Sequence, residues 1–232
     1  MTNIAETINK KNSVTMIDAI NRAYEKNNIP RARLGLSQCG HKCKRYLWYC
    51  HNGFIGTQPE GRVLRLFQLG NILEDQTIAD IKSAGFDIHS GQKHVEFTLD
   101  GITLTGSIDG IVEGLIESPK NPHLFEHKTC SLKKFKELKK KGSYRDWNEV
   151  YYWQVQVYML GLGLTRAAVF VYCKDNSELY MERIQLDEGA TIDRLQDVFL
   201  AIGQMTPPER ACPDADYFEA KWCPFYKECW VL

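Results

Sequence analysis

Apolar side chains recur every three or four positions in four parts of the chain, and this period predicts four helices. The first covers residues 14–27 and ends at Asn28-Ile29-Pro30. The second covers residues 63–84. Residues 148–164 and 192–205 have the same period, and the apolar stripe of residues 148–164 is expected to face the core.

Between these helices the apolar positions alternate, which is the period of strands with one buried face. The pair Asp100-Gly101 separates two such runs and indicates a hairpin. The predicted strands are residues 95–99, 102–104, 108–112, 124–128, 167–174 and 178–185. This order of helices and strands favours a mixed α/β core.

Length and composition limit the class of protein. The chain has 232 residues, 44% of them hydrophobic, so we expect one domain over residues 1–232 with a substantial core. Basic and acidic residues number 29 each, so binding to nucleic acid requires a local basic patch. The sequence contains neither an apolar run of membrane-spanning length nor a signal-like start, and we expect a cytoplasmic protein without a membrane partner.

Eight cysteines are many for a cytoplasmic protein, because disulfides are rare in that compartment. Some of them are therefore expected to bind a metal ion or a cluster. Cys130 and Cys173 fall in predicted strands, where buried and unreactive thiols are expected.

Three charged residues on neighbouring predicted strands suit divalent-metal chemistry. Glu126 and Lys128 lie two positions apart and point to the same face of a strand, and a hairpin would bring Asp109 beside them. Two carboxylates hold a hard cation, the cation activates water for phosphodiester hydrolysis, and a lysine stabilises developing charge. Taken alone, Asp-Gly is also an ordinary turn signal and Glu-x-Lys an ordinary surface ion pair.

Four segments, in order, resemble the motifs of the PD-(D/E)XK nuclease superfamily. They look most like its RecB-type exonucleases, which include the CRISPR-associated iron–sulfur exonucleases and many phage proteins. Residues 65–70 with Glu74 resemble the first motif, and residues 106–110 the acidic motif. Glu126-His127-Lys128 resembles the (D/E)XK motif, and Gln154-x-x-x-Tyr158 is similar to the family's Q-x-x-x-Y helix. Each match is weak alone, but their order makes the set strong.

The resemblance implies an α/β, restriction-endonuclease-like fold with a mixed central sheet flanked by helices. The core would cover about residues 60–205. A small cysteine-containing lobe would form from about residues 34–54 together with residues 207–232.

The resemblance also implies a Mg²⁺- or Mn²⁺-dependent centre for DNA cleavage. The implied metal ligands are Glu74, Asp109, Glu126 and the main-chain carbonyl of His127. The side chain of His127 would point away from the acids, and Lys128 would assist the attacking water. Gln154 and Tyr158, one helical turn apart, would contact the DNA phosphate or steady the catalytic groups, although a surface amide and a core tyrosine are an equally good interpretation.

The cysteine segments are similar to the iron–sulfur end of the same family. A [4Fe–4S] cluster needs four thiolates. Ala220 stands where the family has one of its cysteines, and Cys212 is taken as the substitute, with Cys39 and Cys50 as alternatives. The implied ligands are Cys43, Cys212, Cys223 and Cys229. A zinc site that uses three of these with another group, or no metal at all, are the other interpretations.

A basic stretch follows the Glu126 strand directly. Its cations are Lys133, Lys134, Lys136, Lys139, Lys140, Lys141 and Arg145. They predict contact with DNA phosphates, although such runs are often only solvated helix faces. Four aromatic residues nearby are expected either to stack on unpaired bases or to pack in the core: Tyr144, Trp147, Tyr151 and Tyr152.

The leading hypothesis is a metal-dependent DNA exonuclease that acts on DNA ends or single strands in recombination, repair or replication, in a phage or a bacterium. DNA is the expected partner, and a homo-oligomer or a recombination protein is a further candidate. The alternatives are a non-cleaving DNA-binding or assembly protein on the same scaffold, and an endonuclease.

Overall fold

The structure is a computed structural model that describes residues 14–231. Its helices are α1 (Met16–Asn27), α2 (Lys44–His51), α3 (Gly61–Ser83), α4 (Leu132–Lys141), α5 (Tyr144–Trp147), α6 (Glu149–Leu162), α7 (Glu188–Ile202), α8 (Phe218–Lys221) and α9 (Tyr226–Trp230). Its strands are β1 (Asp87–His89), β2 (His94–Leu99), β3 (Ile102–Ser107), β4 (Gly110–Glu113), β5 (His123–Cys130), β6 (Arg166–Cys173) and β7 (Leu179–Gln185).

Five strands form one mixed sheet in the order β1-β4-β5-β6-β7. β5 and β6 are parallel, and the other neighbours in this sheet are antiparallel. β2 and β3 form a separate hairpin, in which Asp100 and Gly101 both have positive φ, as a tight hairpin turn requires. The predicted α/β class, with a mixed central sheet flanked by helices, is confirmed.

The sheet separates two apolar layers. Leu124 and Val169 belong to the main core, together with residues of α6 and α7. Phe125 and Ala168 belong to a smaller core with Ile81 of α3. Because side chains alternate along a strand, Glu126 and Lys128 lie on the α6 face of the sheet, and His127 lies on the α3 face.

Segments from both ends of the chain pack together. Trp48 Nε1 in α2 donates a hydrogen bond to the Gln204 carbonyl at 2.8 Å, and Tyr49 Oη donates one to the Glu228 carbonyl at 2.9 Å. Phe225 is buried, with its ring centroid 5.2 Å from that of Tyr49. These residues belong to the main core, so the segments of the predicted lobe pack against the sheet domain.

The structure differs from the predicted elements in several places. Helices α2, α4 and α5 were not predicted, and the helix predicted over residues 192–205 is Glu188–Ile202. β1 was not predicted, because it has three residues and only Ile88 is buried, which is too short for a period to show. The strand predicted over residues 108–112 begins at Gly110, since the chain bends at Asp109. The C-terminal segment, in which no helix was predicted, contains α8 and α9.

Helix α1 lies on the surface. Its apolar residues Met16 and Ile17 are 80% and 66% exposed, and none of its residues is buried. It contacts α3 through polar groups, including the hydrogen bond that Gly61 N–H donates to Glu25 Oε1 at 2.8 Å. Within residues 14–231, none of the helices combines the length and the apolar character needed to cross a membrane.

Candidate active site

Strand β5 buries an acidic residue beside a cleft. Glu126 is fully buried, and its Oε1 accepts hydrogen bonds from Lys128 Nζ and from Gln154 Nε2, the latter at 2.7 Å. Its Oε2 is also buried and has no hydrogen-bond partner among the described residues. Leaving such an oxygen unpaired costs about 1–3 kcal/mol, so this oxygen suits a cation as its partner.

Asp109 reaches β5 from the bend between β3 and β4. Its Oδ2 accepts a hydrogen bond from the main-chain N–H of His127 at 2.8 Å. The pairing of Gly110 with Phe125 in the β4–β5 ladder fixes where this bend meets β5. The two predicted acids therefore lie on adjacent segments of one rigid sheet.

Helix α3 brings a third carboxylate, Glu74, to the same region. Burial raises the pKa of Glu74 to about 7, and the charge of Asp109 raises it further while Lys128 opposes the change. Glu74 and Lys128 both line the cleft. The first predicted motif thus lies opposite the (D/E)XK motif across one cavity.

Burial is also the largest cause of the raised pKa values of the other two acids. The pKa of Glu126 is raised to about 8, with Lys128 opposing the shift and Asp109 adding to it. The pKa of Asp109 is raised by burial as well, against the effect of Lys128 and of the His127 N–H. For Lys128, burial alone lowers the pKa, but Glu126 leads the charges that raise it overall, so its amine stays protonated.

The three acids are not grouped tightly enough to form a metal site by themselves. Across residues 14–231, no three His, Cys, Asp or Glu side chains stand close enough together to hold a metal ion. The predicted ligands Glu74, Asp109, Glu126 and the His127 carbonyl therefore stay a prediction.

The imidazole of His127 points away from the acids. Its Nε2 lies 3.1 Å from Thr77 Oγ1 of α3, on the opposite face of the sheet from Glu126. Burial, followed by the charge of Lys128, lowers the pKa of His127 to about 4. Only the main chain of His127 is therefore directed towards the carboxylates.

Gln154 and Tyr158 form one wall of the cleft, which has a volume of about 1030 Å³. Gln154 is buried and holds Glu126 in place, which favours the steadying role over a surface amide. Tyr158 packs against Gly106, where an added Cβ would lie 2.6 Å from Tyr158 Oη. Position 106 in the acidic motif must therefore be a glycine, because a side chain there would clash with Tyr158 of the helix motif.

Several residues of the cleft were not anticipated from the sequence, among them Arg31 and Lys174, which add positive charge to its lining. Phe67 of the predicted first motif is 59% exposed and adds an aromatic surface. Gly35 admits Arg31, because a Cβ there would lie 1.9 Å from its guanidinium. Lys174 directly follows β6, and the shared end of the parallel pair β5–β6 could have indicated it.

The aromatic residues near the basic stretch divide between core and cleft. Tyr144 is fully buried and Tyr152 is 8% exposed, so of the two alternatives core packing, not base stacking, holds for these two. Tyr151 lines the cleft, with Lys128 Nζ 5.2 Å from its ring centroid. Tyr152 is buried because α6 is covered around most of its circumference.

The predicted DNA-binding cations are exposed but stand outside the lining of the cleft. Six of them are on α4, which starts two residues after β5. Lys134 and Lys141 form ion pairs with Glu137, and Lys139 forms one with Glu178. The remaining α4 lysines, Lys133, Lys136 and Lys140, have no ion pair with any residue in the 14–231 range.

Four cysteines of the terminal segments are neighbours. Burial raises the pKa of Cys223 to about 11, and the thiols of Cys43, Cys229 and Cys212 add to the shift. Burial likewise raises the pKa of Cys212, with Cys43 and Cys229 among the further causes. The two alternative candidates for the fourth ligand have different surroundings from these four cysteines. Cys39 is fully buried, and Cys50 Sγ accepts a hydrogen bond from Gln38. All the cysteines of the described residues are free thiols.

No protein-family model matches the chain, and no curated protein is significantly similar to it in sequence. Among solved structures, it is similar to an alkaline exonuclease from Laribacter hongkongensis, with 17% identity, 75% of this chain and 87% of that chain covered, and a TM-score of 0.50. It also matches the protein SSO0001 (16% identity, 97% and 95% coverage, TM-score 0.48) and a phage-related exonuclease from Haemophilus somnus (16%, 72% and 78%, TM-score 0.44). The match to the Laribacter hongkongensis protein shows that the chain has the fold of an alkaline exonuclease. The predicted resemblance is therefore confirmed at the level of fold.

Proposed function

We propose that the chain is a Mg²⁺- or Mn²⁺-dependent deoxyribonuclease that hydrolyses phosphodiester bonds at DNA ends or in single strands. The observation that carries the proposal is the environment of Glu126. One oxygen of this fully buried carboxylate is held by Lys128 and Gln154, and the other is buried without a partner. An exonuclease with the same fold supports the reaction class.

The acids fit a hard divalent cation. Glu126 offers its unpartnered Oε2, Asp109 is fixed to the β5 main chain, and Glu74 lines the cleft beside them. When bound, Mg²⁺ or Mn²⁺ screens the charge of the phosphate and activates water. A cation bound by these acids would favour their ionised forms and so oppose the effect of burial on their pKa values.

The other residues of the site position the reacting groups. Lys128 keeps its proton, because the surrounding carboxylates favour the charged amine, and it can neutralise charge that develops on the phosphate. Gln154 fixes the rotamer of Glu126 through its hydrogen bond. Tyr158, held against Gly106, closes the wall of the cleft.

The cleft supports a preference for DNA ends or single strands. Phe67 and Tyr151 present aromatic rings in the same cavity as Lys128, and Arg31 and Lys174 supply cations for the phosphates. Aromatic stacking with cationic contacts is the common way to hold unpaired nucleotides without sequence preference. The exposed α4 lysines would extend this contact along the strand.

A nuclease assay with matched variants tests the proposal. Glu74→Gln is expected to abolish cleavage of labelled DNA with Mg²⁺ or Mn²⁺ present, whereas Asp75→Asn, an exposed neighbour on α3, should cleave normally. Linear, single-stranded and closed circular substrates distinguish an exonuclease from an endonuclease. If the wild type binds DNA but cleaves none of these substrates, the protein is a non-cleaving DNA-binding protein instead.

We further propose that Cys43, Cys212, Cys223 and Cys229 bind a [4Fe–4S] cluster, with zinc as the alternative. The thiols of Cys43 and Cys229 contribute to the raised pKa values of Cys212 and Cys223, and this proximity supports the set. These four cysteines would supply the four thiolates that a cluster needs, and the same residues would be the ligands of a zinc ion. Iron, sulfide and zinc analysis of protein purified without oxygen decides between them, and absence of all three would contradict both.

A further inference from the structure

A second cavity lies at the other end of the sheet from the cleft. It has a volume of about 260 Å³ and is lined by residues of β5, β6, β7 and the loop before β5. His123 starts β5, Arg166 starts β6, and Arg183 is near the end of β7. In the β6–β7 ladder Arg166 pairs with Gln185, two positions from Arg183, so both arginines are on one face. That is the α3 face, opposite Glu126 and Lys128.

His123 carries a nitrogen that needs a partner. The residue is fully buried, and its Nδ1 lies 2.9 Å from the Asn121 carbonyl. Since a carbonyl only accepts, Nδ1 must be the protonated nitrogen. Its Nε2 is buried without a hydrogen-bond partner among the described residues. Burial lowers the pKa of His123, the Asn121 carbonyl opposes this, and Arg166 and Arg183 lower it again, so Nε2 presents a lone pair.

The two guanidiniums of the cavity keep most of their donors free. Arg166 Nη1 donates to Ser118 Oγ at 3.3 Å, and Arg183 Nη1 donates to the Glu117 carbonyl at 3.2 Å. In the part of the chain covered by the structure, neither arginine forms an ion pair with a carboxylate. The side chain of Glu117 is exposed at the edge and is the one acid of the lining.

The structure assigns this cavity to a small oxyanion that keeps a hydroxyl group, such as hydrogen phosphate, whether free or as a terminal phosphate. Arginines match the oxygens of such a group in charge and geometry. The neutral imidazole requires a hydrogen donor, which a protonated oxyanion supplies and a fully ionised one does not. The volume is below the range of about 300–1,000 Å³ of sites for larger ligands. This site is independent of the proposed nuclease function.

Calorimetric titration of the full chain in metal-free buffer near neutral pH tests the assignment. Inorganic phosphate is expected to bind saturably, and sulfate, matched in ionic strength, at least about tenfold more weakly, because it carries no hydroxyl. A nucleoside monophosphate forms the third arm. Tighter binding than phosphate identifies a terminal phosphate as the ligand, and weaker binding identifies free phosphate.

Matched variants separate this cavity from the cleft. Arg183→Gln should weaken phosphate binding at least about tenfold, whereas Lys120→Gln, an exposed change of equal charge outside the lining, should alter it less than about twofold. Glu117→Gln should tighten binding by removing the one opposing charge. Lys128→Met should leave phosphate binding intact although it disables the cleft. Absence of phosphate binding, equal affinity for sulfate, or loss of binding in Lys128→Met alone would each overturn the assignment.

Discussion

The carboxylate site and the cysteine site are built in opposite ways. The carboxylates are charged groups held on a rigid sheet, where Glu126 is fully buried and tied to Lys128 and Gln154. The cysteines are half-buried thiols on segments from the two ends of the chain, which meet through contacts such as that between Tyr49 and Glu228. The carboxylate arrangement suits catalysis, and the cysteine arrangement suits a cross-link between distant segments of the chain. Substitutions of the carboxylate site should therefore affect activity, and substitutions of the cysteines should affect stability.

The largest effect is expected from Lys128→Met. Removing a charge that stabilises the reacting phosphate should lower the cleavage rate at least about 100-fold. The melting temperature should change little by comparison, and gel assays with labelled DNA beside thermal denaturation measure both. Lys120→Met is the matched control. Cleavage by the Lys128 variant at the wild-type rate would refute the catalytic role of this residue.

Next is the pH dependence of metal binding. Metal must displace protons from Glu126 and Glu74, whose pKa values are raised to about 8 and about 7. Apparent Mg²⁺ affinity should therefore rise from pH 6 to pH 8.5, by up to about tenfold per pH unit for each proton released. Calorimetry in buffers of different ionisation enthalpy counts those protons. Binding without proton release would contradict the raised pKa values.

The raised pKa values of Glu126 and Glu74 also determine how the stability of the metal-free protein changes with pH. A folded-state pKa above the unfolded value means that the folded acids bind more protons between about pH 4.5 and pH 8. Metal-free stability should therefore fall as pH rises through that range, and saturating Mg²⁺ should reverse the trend. Lys128 adds nothing there, because its amine is protonated in both states.

Substitutions of the cysteines are expected to reduce stability and to leave catalysis intact. Cys223→Ser should lower the metal content and reduce the melting temperature by at least about 4 °C, with cleavage retained at low temperature. Cys212→Ser should behave in the same way, whereas Cys50→Ser should keep the metal. Full metal content in the Cys212 variant would exclude it as the fourth ligand.

The smallest effect concerns α4. Changing the three unpaired lysines Lys133, Lys136 and Lys140 to Gln should reduce the slope of log affinity against log salt by about 2 for single-stranded DNA. The control replaces three exposed lysines outside α4: Lys82, Lys93 and Lys120. Equal slopes for the two triple variants would mean that α4 is only a solvated helix face.

The sequence predicted the site best where local geometry decides it. The two-residue period of β5 placed Glu126 and Lys128 on one face, and Asp100-Gly101 marked the β2–β3 turn. It failed where burial is uniform, as on α6, because apolar periodicity then no longer separates Tyr151 from Tyr152. Arg31 joins the cleft from a distant part of the chain, and no local sequence pattern indicates that contact.

The parallel pairing of β5 with β6 has a consequence for the timing of folding. Parallel neighbouring strands cannot be joined by a tight turn, and here the crossover connection between β5 and β6 consists of α4, α5 and α6. The hydrogen bond from Gln154 to Glu126 joins β5 to α6, a helix inside this crossover, so the carboxylate is fixed only once α6 has packed back onto the strand. Loop closure over such a distance is slow compared with hairpin formation. A newly made chain should therefore form its β2–β3 hairpin early and the hydrogen bond between Gln154 and Glu126 late.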